Sequence, residues 1–322
     1  MRIAAEMPQA EHQPVLLDAA LAGLSLRADG VYVDATFGRG GHSGAILSQL
    51  GAQGRLVAFD QDPDAEAHAR ELAAVDSRLT FVRASFAEMA ERVEALGLMG
   101  RIDGVLFDLG VSSPQFDVAE RGFSFRHAGP LDMRMNPDAG EPLSAWLHRA
   151  SHGQIASVIK RYGEEPMAGR IAAAIVDARA KAPIADTRQL ADIVAGAIPA
   201  RVQAGKRIHP ATRTFQAFRL HINDELEALD RALEGAFDVL APGGRLAVIS
   251  FHSLEDRRVK RFIRHQARPP APPVPMAPAV DPALREIGKP VRAGADELTL
   301  NARARSAILR VAERTDAPKV TA

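Results

Sequence analysis

Cysteine is absent from this sequence of 322 residues. Disulfide bonds and thiolate metal sites are therefore excluded, and the absence of cysteine fits a cytoplasmic protein. No second histidine has metal-ligand spacing from His252, so we expect no metal ion. No apolar run approaches the ~20 residues that a membrane-spanning helix needs, and the amino-terminal residues do not resemble a signal peptide. We therefore expect no membrane segment.

A net charge is also absent, because 40 basic residues balance 40 acidic ones. A generally basic surface for nucleic acid is thus excluded, and any such contact must come from local patches. Apolar residues make up 47% of the chain, which is ordinary for a globular protein. The length allows one large domain or two modest ones.

The central feature of the sequence lies in residues 31–43, which predict a strand, a glycine turn and a helix. The strand ends at Asp34, and the turn contains Gly38, Gly40 and Gly41. Glycine lets a backbone approach a ligand closely, and the start of the next helix offers unpaired N–H groups. Such a unit is typical of the nucleoside-cofactor half of an open α/β sheet.

The cofactor is predicted from the acidic residues that flank this turn. A dinucleotide fingerprint needs a third glycine where Ser43 stands, and the charge of Asp34 would oppose a pyrophosphate. An acid in that place suits the ammonium group of S-adenosylmethionine. Asp60 ends the next strand and could accept hydrogen bonds from both ribose hydroxyls. Glycines alone would also fit ordinary turns, but glycines together with two acids favour S-adenosylmethionine.

A further carboxylate, Asp108, ends the fourth predicted strand at 102–108. The loop after it contains Ser112, Ser113 and Gln115. Because strand ends form the ligand crevice of such sheets, we expect these residues to face the reactive sulfur of the cofactor. The same residues would also fit a simple serine turn. Both interpretations stay open.

The predicted fold class is α/β, with a Rossmann-like, mostly parallel sheet. Its core comprises residues 1–115 and 211–322, and residues 116–210 form an inserted helical domain that holds the substrate. A proline-rich, flexible excursion is predicted at 268–290. We also expect one long helix over about 214–240, and a final strand at 306–312 on the antiparallel edge of the sheet.

Several side chains outside the glycine turn are candidate contacts. Phe86 follows the third strand and could flank an adenine or simply fill the core. Basic residues interleaved with aromatic ones can bind phosphates and stack bases, and the candidates are Arg213, Phe215, His252, Arg257 and Arg258. A solvated helix face over core phenylalanines, with a structural histidine, would give the same pattern.

Several sequence blocks resemble the bacterial 16S ribosomal RNA cytosine-N4 methyltransferase family, also described as the MraW family. These blocks, which span nearly the whole chain, are 12–15, 34–43, 107–115, 209–216 with 223–226, 242–245, 249–256 and 301–306. The resemblance implies a class I methyltransferase fold with a helical substrate domain inserted after the fourth strand. By motif matching it assigns S-adenosylmethionine to Gly40, Gly41, His42, Asp60, Phe86, Asp108 and Gln115. Asp34 and Gly38 are added from the strand-end and turn arguments.

The resemblance further implies methylation of the exocyclic N4 of a cytidine in small-subunit ribosomal RNA, near the decoding site, with S-adenosylhomocysteine as the second product. Asp108 and Ser113 are the candidate catalytic residues, because either could accept a hydrogen bond from the amine. The partner would be 16S ribosomal RNA, as part of the small subunit or free. The oligomeric state is open, with a homodimer as one option. An NAD-dependent oxidoreductase and a non-catalytic RNA-binding protein are the alternative functions.

Overall fold

The computed structural model describes residues 14–203, 205, 208–269 and 280–320, except for the side chains of residues 113, 114 and 302. The strands of these residues are β1 (Val31–Asp34), β2 (Arg55–Asp60), β3 (Leu79–Arg83), β4 (Ile102–Asp108), β5 (Leu240–Ser250), β6 (Leu284–Glu286) and β7 (Ile308–Arg314). The α-helices are α1 (Leu17–Leu24), α2 (Gly41–Gln49), α3 (Pro63–Val75), α4 (Met89–Ala95), α5 (Ser113–Asp117), α6 (Leu143–Arg149), α7 (His152–Gly163), α8 (Ala168–Lys181), α9 (Thr187–Ala197), α10 (Ala200–Gln203), α11 (Thr212–Ile222), α12 (Glu225–Val239), α13 (Ser253–Ala267) and α14 (Ala295–Leu300). Short 3₁₀ helices lie at Phe86–Glu88, Ala119–Arg121 and Ala302–Ser306.

All the strands of the described residues join one sheet in the order β3-β2-β1-β4-β5-β7-β6. The pairs among β1 to β5 are parallel, while β7 is antiparallel to both β5 and β6. The strand order reverses beside β1, and in open α/β sheets ligands bind at the carboxyl ends of the strands near such a reversal. The predicted Rossmann-like, mostly parallel sheet is confirmed.

Both faces of this sheet are covered by apolar clusters, as expected for parallel strands. Side chains alternate between the two faces, so that Val57 and Val105 lie in one cluster while Leu56 and Leu106 lie in the other. The first cluster includes residues of α4, α12 and α13, and the second includes residues of α1, α2 and α3. Burial on both faces makes the strands nearly continuous apolar runs, which is why they could be predicted.

The chain forms two compact units. The first comprises the described residues of Met1–Gly110 and Leu229–Ala322, and the second is Val111–Ala228. In the second unit, α7 packs against α8 and α11, and α8 packs against α9. The predicted insertion at 116–210 lies within the second unit, and its role as a substrate domain stays a prediction.

The predicted long helix at 214–240 is wrong, because the chain breaks between α11 and α12. Asp224 has a positive φ of 50°, which an α-helix cannot contain. The side chain of Asn223 donates to the carbonyls of Arg219 and Met133, and it accepts a hydrogen bond from the N–H of Met135, at 2.7–2.9 Å. The break therefore ties the end of α11 to an irregular loop of the same unit.

Two predictions near the carboxyl terminus also need correction. β7 is antiparallel as expected, but β6 pairs with it and forms the edge of the sheet instead. The flexible excursion predicted at 268–290 contains this β6 strand, so that its residues 284–286 are ordered by ladder hydrogen bonds. Residues 270–279 of the excursion lie outside the described part of the chain.

Candidate active site

Three aspartates end three neighbouring parallel strands of the first unit. Asp34 ends β1, Asp60 ends β2 and Asp108 ends β4. Parallel pairing of β1 with both other strands brings these carboxylates to the same edge of the sheet. The sequence predicts this arrangement, since each strand ends where its apolar run meets an acid.

Asp34 is completely buried, and both of its carboxylate oxygens already have partners. The hydroxyl of Ser43 donates to Oδ2 at 2.7 Å, and the N–H of Thr36 donates to Oδ1 at 3.1 Å. Burial raises the pKa of Asp34, and the nearby His42 and these hydrogen bonds oppose that rise. Direct contact between Asp34 and a cofactor ammonium is therefore contradicted by its burial, and Asp34 instead fastens the first turn of α2 to β1.

The glycine turn follows Asp34 and needs glycine for two different reasons. Gly38 and Gly40 have positive φ angles of 55° and 76°, which other residues rarely adopt. A Cβ on Gly41 would lie only 2.6 Å from the Cγ of Pro14, so that position excludes any larger residue unless Pro14 moves. Backbone conformation therefore requires glycine at two positions of the turn, and packing requires it at the third.

Asp60 holds the glycine turn from the next strand. Its Oδ2 accepts a hydrogen bond from the N–H of Gly38 at 2.8 Å, and its Oδ1 accepts one from the N–H of Asp62 at 3.0 Å. A carboxylate oxygen can accept two hydrogen bonds, so this half-buried group retains capacity for ribose hydroxyls. Burial raises the pKa of Asp60 to about 6, against the lowering effect of these two N–H groups.

Asp108 and His42 form a pair beside the turn. The Nδ1 of His42 lies 3.5 Å from the Oδ2 of Asp108, and the Nε2 of His42 lies 3.2 Å from the carbonyl of Val15. The N–H of Asp108 donates to the hydroxyl of Thr36 at 2.7 Å. These contacts fix the end of β4 on both its backbone and its side chain.

The remaining oxygen of Asp108 has no such partner. Among the described residues, no group hydrogen-bonds to the buried Oδ1 atom, although buried polar atoms normally have a partner. Burial raises the pKa of Asp108 to about 6; His42 opposes this rise, while the charges of Asp34 and Glu255 add to it. Among the described residues, the end of β4 therefore carries one buried acceptor that is unsatisfied.

Comparison with known proteins identifies the type of site. The model of the MraW methylase family matches residues 9–315 of the chain. The chain belongs to the MraW methylase family.

Close relatives of this MraW-family chain carry a common name. A protein of Thioalkalivibrio sulfidiphilus named ribosomal RNA small subunit methyltransferase H is 55% identical over 311 residues, covering 95% of this chain and 98% of that protein. A protein of the same name from Halorhodospira halophila is 56% identical over 308 residues, covering 94% of each chain. A solved rRNA methylase of Streptococcus thermophilus is 12% identical, with a TM-score of 0.41, 97% of this chain and 100% of that chain covered. This last likeness is too weak to bear on fold or function.

As a MraW-family methylase, the protein has the class I methyltransferase fold and uses S-adenosylmethionine. The residues present fit this cofactor. Glycines with positive φ follow β1, Asp60 retains acceptor capacity for a ribose, and no group of the described residues hydrogen-bonds to Oδ1 of Asp108. Membership of a methylase family argues against both alternative functions, an oxidoreductase and a non-catalytic RNA-binding protein.

Phe86 retains both of its predicted roles in this MraW-family protein. Its ring packs against the apolar cluster and meets Phe107 edge to face, with centroids 5.9 Å apart. It is nonetheless only half-buried, and its exposed part could still flank an adenine. Contact of Phe86 with the cofactor stays a prediction.

Two candidate residues on the loop after β4 belong to the second unit. The side chain of Ser113 lies outside the described part of the chain. Gln115 is buried, and its Oε1 accepts a hydrogen bond from the N–H of Ser112 at 3.0 Å. The serine-turn interpretation thus accounts for one contact of Gln115, and its contact with the cofactor stays a prediction.

The two RNA candidates of α11 differ in exposure. Phe215 is buried and meets Phe125 edge to face at 4.8 Å, so the prediction that it stacks on a base is wrong. Arg213 is exposed, and its Nη1 donates to the carbonyl of Glu164 at 3.3 Å. Phe215 lies on the apolar face that attaches α11 to the second unit, and Arg213 lies on the solvent side.

The candidates around α13 are also constrained by local contacts. His252 is the N-cap of the helix, where its ring accepts a hydrogen bond from the N–H of Glu255. Arg258 donates to Asp230 at 3.1 Å, which neutralises its charge locally. Arg257 is exposed and has a contact within the protein. The helix cap accounts for His252, and direct RNA contact by these three residues stays a prediction.

Sequence reasoning missed three side chains that organise the site. Thr36 accepts a hydrogen bond from the N–H of Asp108, Ser43 donates to Asp34, and Glu255 accepts hydrogen bonds from the N–H groups of the chain before α13. The only signal for Ser43 was that it stands where a dinucleotide site would have glycine. For Glu255, the signal was its place three residues after an N-cap.

Proposed function

We propose that this protein transfers a methyl group from S-adenosylmethionine to the exocyclic N4 of a cytidine in 16S ribosomal RNA, near the decoding site. The names of its close relatives support a small-subunit ribosomal RNA as the substrate. The observation that carries the chemical proposal is the unpartnered Oδ1 of Asp108 at the end of β4. Asp108 as a whole is only half-buried, unlike Asp34, so a rotation of its carboxylate would let this oxygen accept a hydrogen bond from an exocyclic amine.

The proposed reaction must activate a weak nucleophile, the exocyclic amine of cytosine. The lone pair of the cytosine amine is delocalised into the ring, and the bound cofactor supplies an electrophilic methyl group. Asp108 accepts a hydrogen bond from the amine. This bond orients the amine nitrogen and makes its lone pair more available for bond formation. Orientation of two reactants can supply several kcal/mol. The target base leaves its stack to reach the carboxylate.

Asp108 is also suited to receive the proton that the amine loses. With a pKa of about 6, its carboxyl is mostly ionised at pH 7.5 and is a stronger base than an ordinary aspartate. The contact of Oδ2 with His42, and that of the backbone N–H with Thr36, keep Oδ1 in place. Ser113 is kept as a second candidate acceptor.

The second unit and the surroundings of the enzyme are part of the same proposal. We assign the helical part at 116–210 to holding the RNA, either within the small subunit or free. An enzyme that modifies this RNA belongs in the cytoplasm, where the RNA is. Within the described residues, no helix is both long and apolar enough to cross a membrane.

The proposal is tested by methyl transfer from labelled S-adenosylmethionine to small ribosomal subunits and to naked 16S RNA, both lacking the modification. The labelled nucleoside is identified by mass after digestion, and its position by mapping. The expected product is N4-methylcytidine at one position near the decoding site. The Asp108→Asn variant is the matched control, because it should lose methyl transfer while it still binds S-adenosylhomocysteine and RNA.

Label on another atom or on several positions would contradict the proposed specificity while leaving RNA methylation intact. Absence of transfer to either substrate, with S-adenosylhomocysteine binding intact, would exclude both as substrates under these conditions. Comparison of the two substrates decides between the assembled subunit and free RNA.

A further inference from the structure

A small groove in the first unit lies away from the strand-end aspartates and is unusually rich in cations. It is formed by α13, the chain around β6, and β7, and its volume is about 110 Å³. Its charged lining residues are Lys260, Arg264, Arg268, Glu286, Lys289 and Arg310. We call it the basic groove. Five cations thus face one carboxylate, in a chain whose net charge is zero.

Two of the five cations are neutralised by partners within the fold. Arg310 donates to both oxygens of Asp256, at 2.7 and 3.1 Å, and Arg268 donates to Glu286 at 3.2 Å. These pairs hold two sides of the groove in position. These pairs do not neutralise the charges of the other three lining cations.

The other three cations have no anionic partner among the described residues. They are Lys260 and Arg264 on α13, and Lys289 on the loop after β6, and all three are exposed. Lys260 and Arg264 are four residues apart, so they lie on the same face of the helix, where like charges are unfavourable. Three uncompensated positive charges around one concavity attract an anion.

The size of the groove limits what that anion can be. A cavity of about 110 Å³ is well below the 300–1,000 Å³ of pockets that enclose drug-sized ligands. It suits a phosphate-sized group rather than a nucleoside. Lysine and arginine side chains from separate elements also match the contacts that proteins make to phosphodiester oxygens.

We propose that the basic groove binds the phosphodiester backbone of the RNA substrate. This inference rests on the proposed function and extends it, because it gives the first unit an RNA contact of its own. The contact comes from the α13 face that carries Lys260 and Arg264. Arg258, which is paired with Asp230, does not line this groove.

The test compares two double variants that each remove two positive charges. Lys260→Gln with Arg264→Gln changes the groove, and Arg55→Gln with Arg261→Gln changes exposed residues that do not line it. Binding of unmodified 16S RNA is measured over a series of KCl concentrations. We expect the groove variant to bind about tenfold more weakly near 0.1 M salt, and its salt slope to fall by about 1.5. The control is expected to shift much less.

A second variant and two side measurements make the result specific. Lys289→Gln, on a different element, should lower the salt slope by about 1 on its own. Affinity for S-adenosylhomocysteine and the unfolding temperature are measured for each variant, because all three residues are exposed and should not alter folding. The loss is expected in the KM for RNA.

Equal RNA affinity and salt slope in the groove and control variants would overturn the inference. If the wild-type protein still methylated the RNA in that case, the proposed function would remain supported and only the groove contact would be excluded. A loss of affinity for small subunits without a loss of affinity for naked RNA would indicate that the groove binds a ribosomal protein, and it would overturn the RNA contact. Absence of methylation and of RNA binding by the wild type would remove the proposed function itself.

Discussion

Within the described part of the chain, Oδ1 of Asp108 is buried without a hydrogen-bond partner, and replacement of Asp108 gives the sharpest test of the mechanism. Asp108→Asn keeps the shape but removes the basic carboxylate. We expect kcat to fall by roughly 10²-fold or more, as for loss of a general base. The measurement is methyl transfer at saturating RNA and cofactor, with affinity for S-adenosylhomocysteine determined separately. Normal cofactor binding with an unchanged rate would mean that Asp108 has no catalytic role.

The pH dependence of the wild-type enzyme follows from the same residue. Burial raises the pKa of Asp108 to about 6, and only the ionised form can take up the proton that the amine loses. We therefore expect kcat to rise between pH 5 and 7 and to level off above pH 7, with a midpoint near 6. The pKa of Asp60 is also raised to about 6, so the cofactor must stay saturating across the range. A flat profile would exclude a titrating acceptor in the rate-limiting step.

The buried hydrogen bond from Ser43 to Asp34 should stabilise the folded protein. Ser43→Ala removes the hydroxyl that donates to this buried carboxylate, and a buried group left unpartnered costs about 1–3 kcal/mol. Because burial already raises the pKa of Asp34, loss of a donor to the ionised form should cost most at high pH. We expect the destabilisation in urea unfolding to be larger at pH 8 than at pH 5.

The control for this change lies on the same helix. Ser48 is exposed and donates only to the carbonyl of Ala45, so Ser48→Ala should stay within about 0.5 kcal/mol of wild type. If both serine variants lost equal stability at both pH values, the hydrogen bond to Asp34 would have no special contribution.

At the scale of elements, α13 begins with a buried capping arrangement. The carboxylate of Glu255 accepts hydrogen bonds from the N–H groups of Phe251 and His252, at 2.8 and 3.2 Å, while its own N–H donates to the His252 ring. Glu255→Ala leaves these N–H groups unpaired and should destabilise the protein by about 1–3 kcal/mol, measured by urea unfolding. Glu255→Gln, which retains one acceptor oxygen, should recover part of this loss.

A capping box at α7 offers the comparison. There Ser151 and Gln154 exchange the same kind of hydrogen bonds, but both residues are exposed. Gln154→Ala should therefore cost less than Glu255→Ala, because water can replace the lost partner. A larger loss at α7 would contradict the assignment of burial as the cause.

Sequence patterns predict β1 to β5 because parallel strands buried within a sheet are apolar runs, and an acid marks where the run stops in β1, β2 and β4. They missed β6, because the three residues Leu284-Arg-Glu286 show no alternation long enough to detect. They also missed the break after α11, since the contacts of Asn223 with Met133 and Met135 are distant in sequence. Elements defined by local periodicity were predictable, and those defined by tertiary contacts were not.

The same distinction applies to the candidate site. The sequence predicted the strand-end positions of Asp60 and Asp108, because strand ends are visible in it. The burial of Asp34 and its hydrogen bond from Ser43 of the next helix arise from tertiary packing, which a strand-end pattern does not show. The basic and aromatic pattern predicts base stacking by Phe215, although its spacing of three from Phe218 places both on one helix face, as for core positions. Exposure is a property of the folded chain, and composition alone does not give it.

At the scale of the whole molecule, the strand-end aspartates and the glycine turn all belong to the first unit. Binding of S-adenosylhomocysteine at 100 times its dissociation constant should raise the free energy of unfolding by about 2.7 kcal/mol. Hydrogen exchange read peptide by peptide should show the added protection around residues 34–42, 60 and 108. Protection confined to other segments would contradict the site.

The same experiment decides one open residue. Gln115 lies in the second unit, so slower exchange of peptides that contain it, on addition of S-adenosylhomocysteine, would support its predicted contact with the cofactor. Unchanged exchange there, with protection around the glycine turn, would limit the cofactor to the first unit.

The strand order also governs how the chain is made on the ribosome. β4 ends at Asp108 and its neighbour β5 begins at Leu240, so the whole second unit is translated before β5 emerges. During that interval one edge of the nascent β1–β4 sheet lacks its partner, and unpaired strand edges are sites of aggregation. Slower elongation through residues 111–239 would lengthen this exposure, and a chaperone that shields the β4 edge would be most useful at that stage of synthesis.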